Sequence, residues 1–169
     1  MAFGTWAFGP YTVDYTPAGG EKTAVGLLEQ HITMNQPAFA QDVMASRYAE
    51  SVIDGIYRGG NVFVQLILKE WKTGSKNVMW PFDATLGQSG KIGRAMSDIA
   101  GSLLLTAIAG TPAANNGPAT RTFPLACFSP GHNKEVLFGN VERNVPIIMQ
   151  CYPAEVTPGD SELQWFSDT

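Results

Sequence analysis

Charge is scarce in this sequence. Asp, Glu, Lys and Arg make up 15% of its 169 residues, where an ordinary soluble domain devotes about a quarter. Little surface is therefore laid out to face water. A chain of this length can build a proper core, but not one large enough to account for the shortfall. A protein that buries part of its exterior against copies of itself has this composition. The charge that is present sums to −4, which argues against a general binder of phosphate backbones, since such proteins carry basic stripes.

The metal- and redox-bearing residues are equally sparse. Cys127 and Cys151 are the only cysteines and form neither a CxxC pair nor a disulfide framework. They read as small buried apolar residues in a reducing setting. His31 lies in an apolar run and reads as a packed or edge histidine; His132 lies in the turn "SPGHNKE". Neither has a second ligand at metal spacing, so no metal and no cofactor are expected. No apolar run approaches the roughly 20 residues of a membrane helix. The opening "MAFGTWAFGP" lacks the basic-then-apolar order of a signal peptide.

Motifs for chemistry fail on inspection. "GQSGKIG" invites a phosphate-loop reading, but Thr85 stands where the first glycine belongs and Ile92 where the magnesium-binding Ser or Thr belongs. The serines lack a nucleophile-elbow context. Asp42, Asp54, Asp83 and Asp98 are scattered. No catalytic residue is nominated, and the chain reads as non-enzymatic.

What the sequence does contain is strand pattern. In "YRGGNVFVQLILKEW", period two puts Val62, Val64, Leu66 and Leu68 on one face and Phe63, Gln65, Ile67, Lys69 and Trp71 on the other. The second face is half apolar, which a simple two-layer domain does not require. Further strands are expected at Tyr11 to Tyr15, 25–34 (where a short helix also fits), "FPLACF" and "VLFGNVERNVPIIMQCYP", and "SRYAESVIDGIYR" is compatible with strand; turn signals stand at Asp54-Gly55 and Gly59-Gly60, with a polar turn at "KTGSKN". Ile92, Met96, Ile99 and Leu103 recur at helical spacing, widened by Leu104 and Ile108 and closed by Gly110 and Pro112. The expected fold is α+β or mostly β: β-sandwich or barrel-like sheets flanked by one amphipathic helix over about 88–108. One domain spans 1–169, with flexible or docking arms at 1–10 and 155–169.

The aromatics of those arms have no reason to sit in free chain ends. Trp6, Phe8, Trp165 and Phe166 therefore join Phe63, Ile67 and Trp71 as candidate self-assembly residues.

The order "FGPYTVDYTPAGG", "GLLEQHITMNQ", "SVIDGIYRGGNVFVQLILKEW", helix and "VERNVPIIMQCYP" resembles the tail-tube-type fold of tailed-bacteriophage virion proteins. In that fold a β-sandwich is flanked by one helix and copies associate in rings. The resemblance covers about residues 8 to 155 and rests on order and texture. It implies a non-catalytic structural protein of the virion, assembled in the host cytoplasm into homo-oligomeric, hexameric rings of the tail tube or neck. Other tail or neck proteins would be its partners, and DNA would pass through the lumen without specific binding. Tube proteins of this type carry a long exposed hairpin loop; "MNQPAFAQDVMASRYAE" occupies that place, with an atypical Pro37. Two alternatives stand beside this reading: a capsid decoration or collar protein, and a β-sandwich that binds a ligand on aromatic platforms.

Overall fold

The computed structural model describes residues 10–26, 28, 32–45, 51–83, 87–88, 90–110, 117–132, 144–156 and 162–169. The chain is mostly β. Its elements run β1 (Tyr11–Thr16), β2 (Thr23–Ala24), β3 (Thr33–Asn35), β4 (Ala38–Ala45), β5 (Ser51–Gly60), β6 (Val62–Leu68), α1 (Thr73–Met79), α2 (Met96–Ile99), β7 (Gly101–Ala107), β8 (Thr120–Phe128), β9 (Val145–Tyr152), β10 (Ala154–Glu155), β11 (Leu163–Gln164) and β12 (Ser167–Asp168).

An antiparallel sheet of eight strands forms the body, in the order β2-β1-β7-β8-β9-β6-β3, with β12 added against β8. Strict alternation decides which side of each strand is buried. β6 reads buried, half-buried, buried along its length, and β9 repeats the pattern with Ile147, Met149 and Cys151 inside. The register pairs Val62, Val64 and Leu66 with Cys151, Met149 and Ile147, so both apolar rows meet on one face. Val13, Tyr15, Leu103, Leu105 and Phe123 complete the core from β1, β7 and β8. The sheet curls around this core. Arg121 on β8 brings Nη1 to 3.4 Å from Met34 Sδ on β3, although β9 and β6 separate those strands in the sheet.

Tyr15 locks β1 to the middle of the sheet. Its hydroxyl donates to the Ala126 carbonyl and accepts from the Gly101 amide, each at 3.2 Å. The side chain is fully buried, so both bonds are needed to offset the loss of water. Burial, aided by Cys127, pushes this phenol above its ordinary 10.0, and burial pushes the Cys151 thiol from 9.0 up to about 12. Both groups are neutral when folded and ionise more readily when unfolded. Above pH 9 the unfolded chain therefore binds fewer protons than the folded one, and stability falls as pH rises. Unfolding free energy should hold level with respect to these two groups below about pH 9 and decline between about 9 and 12. Denaturant titrations across that range check it; a level curve to pH 12 contradicts it.

The helix expected over 88–108 is not there. Its second half is strand β7, with Gly101, Leu103 and Leu105 buried and Ser102 and Leu104 half-buried between them. Only Met96–Ile99 is helical, and Ile92 is 85% exposed. An apolar run such as "SLLLTA" satisfies both periodicities over a short window, and tertiary pairing with β1 and β8 decides in favour of the strand. Conversely, the polar turn expected at "KTGSKN" is α1. Ser75 caps it, accepting from the Lys72 amide at 2.7 Å and donating to the Lys72 carbonyl at 2.8 Å. Val78 and Met79 then anchor it on the core.

Candidate interaction surface

The expected turns at Asp54-Gly55 and Gly59-Gly60 lie instead inside β5, which pairs with β4 in a two-stranded ribbon. This ribbon continues the β3–β6 pair. The register passes from Thr33↔Gln65 and Asn35↔Phe63 to Ala38↔Gly60 and Phe39↔Gly59 without offset. The Asn61 amide donates to the Pro37 carbonyl at 3.0 Å across the break between the two pairs. β6 has β9 on its other side only over 62–68. Beyond that point the ribbon has no further strand partner among the described residues, and it projects about 25 Å at roughly 3.3 Å per residue.

Alternation extends along this long hairpin. Phe63, Gln65 and Ile67 point away from the core and are half-buried. The same side continues through Phe39 and Val43 and, by cross-strand pairing, Ile56. Phe39 is 50% and Ile56 53% exposed. Register shifts at Phe39/Ala40 and Val43/Met44 add local twist. Gly59, at φ 110°, accompanies the first of them, where an L side chain would be strained. The result is a broken apolar strip that starts on the body and runs onto the ribbon.

Among the described residues, the second face of the sheet carries an apolar cluster at its other end. There Ile99 and Ala100 pack on Cys127, with Phe82, Met96, Leu125 and Tyr152 around them. Over β3, β6 and β9 lies an open groove of about 440 Å³, whose lining includes Phe63, Gln65, Asn35, His132 and Ile148. The His132 ring stands 5.8 Å from Phe128, so this turn histidine is packed as well as wet. His31 lies outside the described residues.

The nominated interface residues are not gathered in one patch. Phe63 and Ile67 share the outer face. Trp71, past the end of β6, is 51% exposed. Trp165 and Phe166 pack against the inner core of their own chain, and Trp6 and Phe8 lie outside the described residues. Sequence reading missed Phe39, Ile56 and Tyr57, which are among the exposed large hydrophobic residues. The period-two pattern of "SVIDGIYR" allows a strand there beside the turn signals of its dipeptides, but that pattern alone does not say which side chains stay exposed.

The two faces of β6 give contrasting expectations. Leu66 is fully buried, and Leu66→Ala should cost roughly 2–5 kcal/mol. Ile67→Asp should leave circular dichroism and melting close to wild type while abolishing self-association. An unfolded Ile67→Asp protein would place that side chain in the subunit's own core.

Among the described residues, no group of three or more His, Cys, Asp or Glu is placed to hold a metal, and no helix is long and apolar enough to cross a membrane. No protein-family model matches the chain, and no curated protein matches it in sequence.

Proposed function

We propose that this chain is a non-catalytic structural protein of a tailed-bacteriophage virion, assembling in rings of six copies in the tail tube or neck. The observation that carries the reading is the projecting ribbon. A two-stranded hairpin is marginal in water by itself. This one also presents Phe39, Ile56 and Tyr57 largely to solvent. Docking on a neighbouring copy supplies a packing partner for the ribbon and covers the strip of Phe39 and Ile56, while Tyr57, opposite Ala40, lies on the other face. The low charge content favours the same conclusion, as does the order of strands up to β6 that resembles tail-tube proteins, although the helix on which that resemblance also drew is absent. In sequence order the ribbon falls where the exposed hairpin of that family is expected. Sedimentation and negative-stain electron microscopy of the purified chain test it. Uniform rings or stacked tubes are expected; a monomer at every concentration overturns the reading.

A further inference from the structure

Strand β12 fills a slot that β9 vacates. β9 pairs with β8 as far as Leu125↔Tyr152. Pro153, which has no N–H to give, follows, and the chain turns off into the small β10–β11 hairpin. The ladder on that side of β8 resumes with β12, through Ser167↔Thr122 and Asp168↔Arg121. Thr169 and Thr120 then exchange both backbone bonds, at 2.8 and 3.0 Å.

Recognition of this strand is concentrated in very few residues. Arg121 donates to both carboxylate oxygens of Asp168, at 2.6 and 2.7 Å. Its guanidinium lies 4.7 Å over the Phe166 ring, which stands 5.8 Å from the buried Phe123. Main-chain bonds, one aromatic against an apolar floor and one charge clamp are the means by which a sheet edge captures an extended peptide. Each acts on residues 166–169 and is indifferent to which copy delivers them. The delivering hairpin is paired over only two residues a side. It leaves Val156 and Leu163 54% and 51% exposed. Beside it a groove of about 360 Å³ lies between Trp165 and Tyr57, giving the strand room to leave and another to enter.

We infer that this slot is an exchange site, and that copies in the assembly are joined by donation of residues 166–169 from each copy to the next around the ring. The bonds are the same within one chain and between two. Local concentration therefore decides between them, and packing in a ring raises it. The inference rests on the self-association proposed above and names a second contact of that assembly.

Charge reversal tests it. Arg121→Asp and Asp168→Arg each set like charges face to face within their own chain. Each should melt several degrees below wild type, and the double variant R121D/D168R, which restores the pair internally, should recover. When the two single variants are mixed, exchange lets each slot receive the complementary strand. One-to-one heteromers in native mass spectrometry, melting near the double variant, are expected. If the mixture melts as the sum of its components with no heteromer, exchange is overturned. Should a single variant fail to fold alone, co-refolding of the two yields soluble heteromer in the first case and none in the second. Wild-type rings without heteromer remove the exchange and leave the ring; heteromer without rings does the reverse.

Discussion

Gly74→Ala should lower the melting temperature of the subunit by roughly 6–12 °C, for a cost of about 3 kcal/mol. On an exposed helix the same change is stabilising, by up to about 1 kcal/mol of propensity. Here the added Cβ would strike the Ala24 carbonyl oxygen and lie 2.5 Å from its carbon and 2.9 Å from the Val25 Cα. Those are backbone atoms next to strand β2, with no rotamer to yield. The first turn of α1 would have to lift from the sheet, taking the buried Val78 and Met79 with it. The steric cost exceeds the propensity gain. Thermal unfolding of the purified variant decides the sign; an unchanged or raised midpoint would mean that helix and strand are not in contact at this point.

The double substitution Phe39→Asp, Ile56→Asp should have the opposite profile. Both side chains lie on one face of the ribbon and are half exposed. Neither belongs to the main core, so the body should melt within a few degrees of wild type. Two carboxylates on a surface meant to be covered would have to be desolvated unpaired, which costs several kcal/mol at each contact. A six-fold ring repeats that cost at every joint, so assembly should be lost rather than weakened. Sedimentation velocity on the variant reads the result directly. Rings that survive both charges would show that the ribbon faces solvent in the assembly, and would remove the main support for its role.

Strands with one buried side were legible because alternation of apolar residues maps directly onto a two-faced sheet. β6 and β9 were anticipated in this way, as was the start of β1, and so was the β-rich fold class. The segment from Gly90 to Leu105 was misread because the stripe Ile92, Met96, Ile99, Leu103 was weighed without the glycines inside it. Gly90, Gly93 and Gly101 each cost a helix about 1 kcal/mol. Gly101 in fact answers a tertiary demand, since a Cβ there would lie 2.7 Å from both Cζ and Oη of Tyr15. The ribbon was obscured by local turn chemistry in "SVIDGIYRGG". Asp54-Gly55 and Gly59-Gly60 are good turn formers in isolation, but pairing with 38–45 keeps both inside β5, with Gly59 at a register shift. The destination of Trp165 and Phe166 depends on where β9 leaves β8. That relation spans distant parts of the chain and has no local signature.

The strand order also governs how this chain reaches its native state. Neighbours β8 and β9, and the hairpin that joins β3 to β6, lie near each other in sequence, whereas the Tyr15–Ala126 bond spans 111 positions. Loop closure over such a distance costs entropy before any contact repays it, so β1 docks late and refolding falls in the slow, millisecond-to-second range of β-rich domains. Until it docks, β7 shows a bare row of amides and carbonyls to its surroundings, and any extended segment of another molecule can pair there first. Recovery from denaturant should therefore fall as the protein is made more concentrated, opposite to the concentration dependence of the proposed assembly.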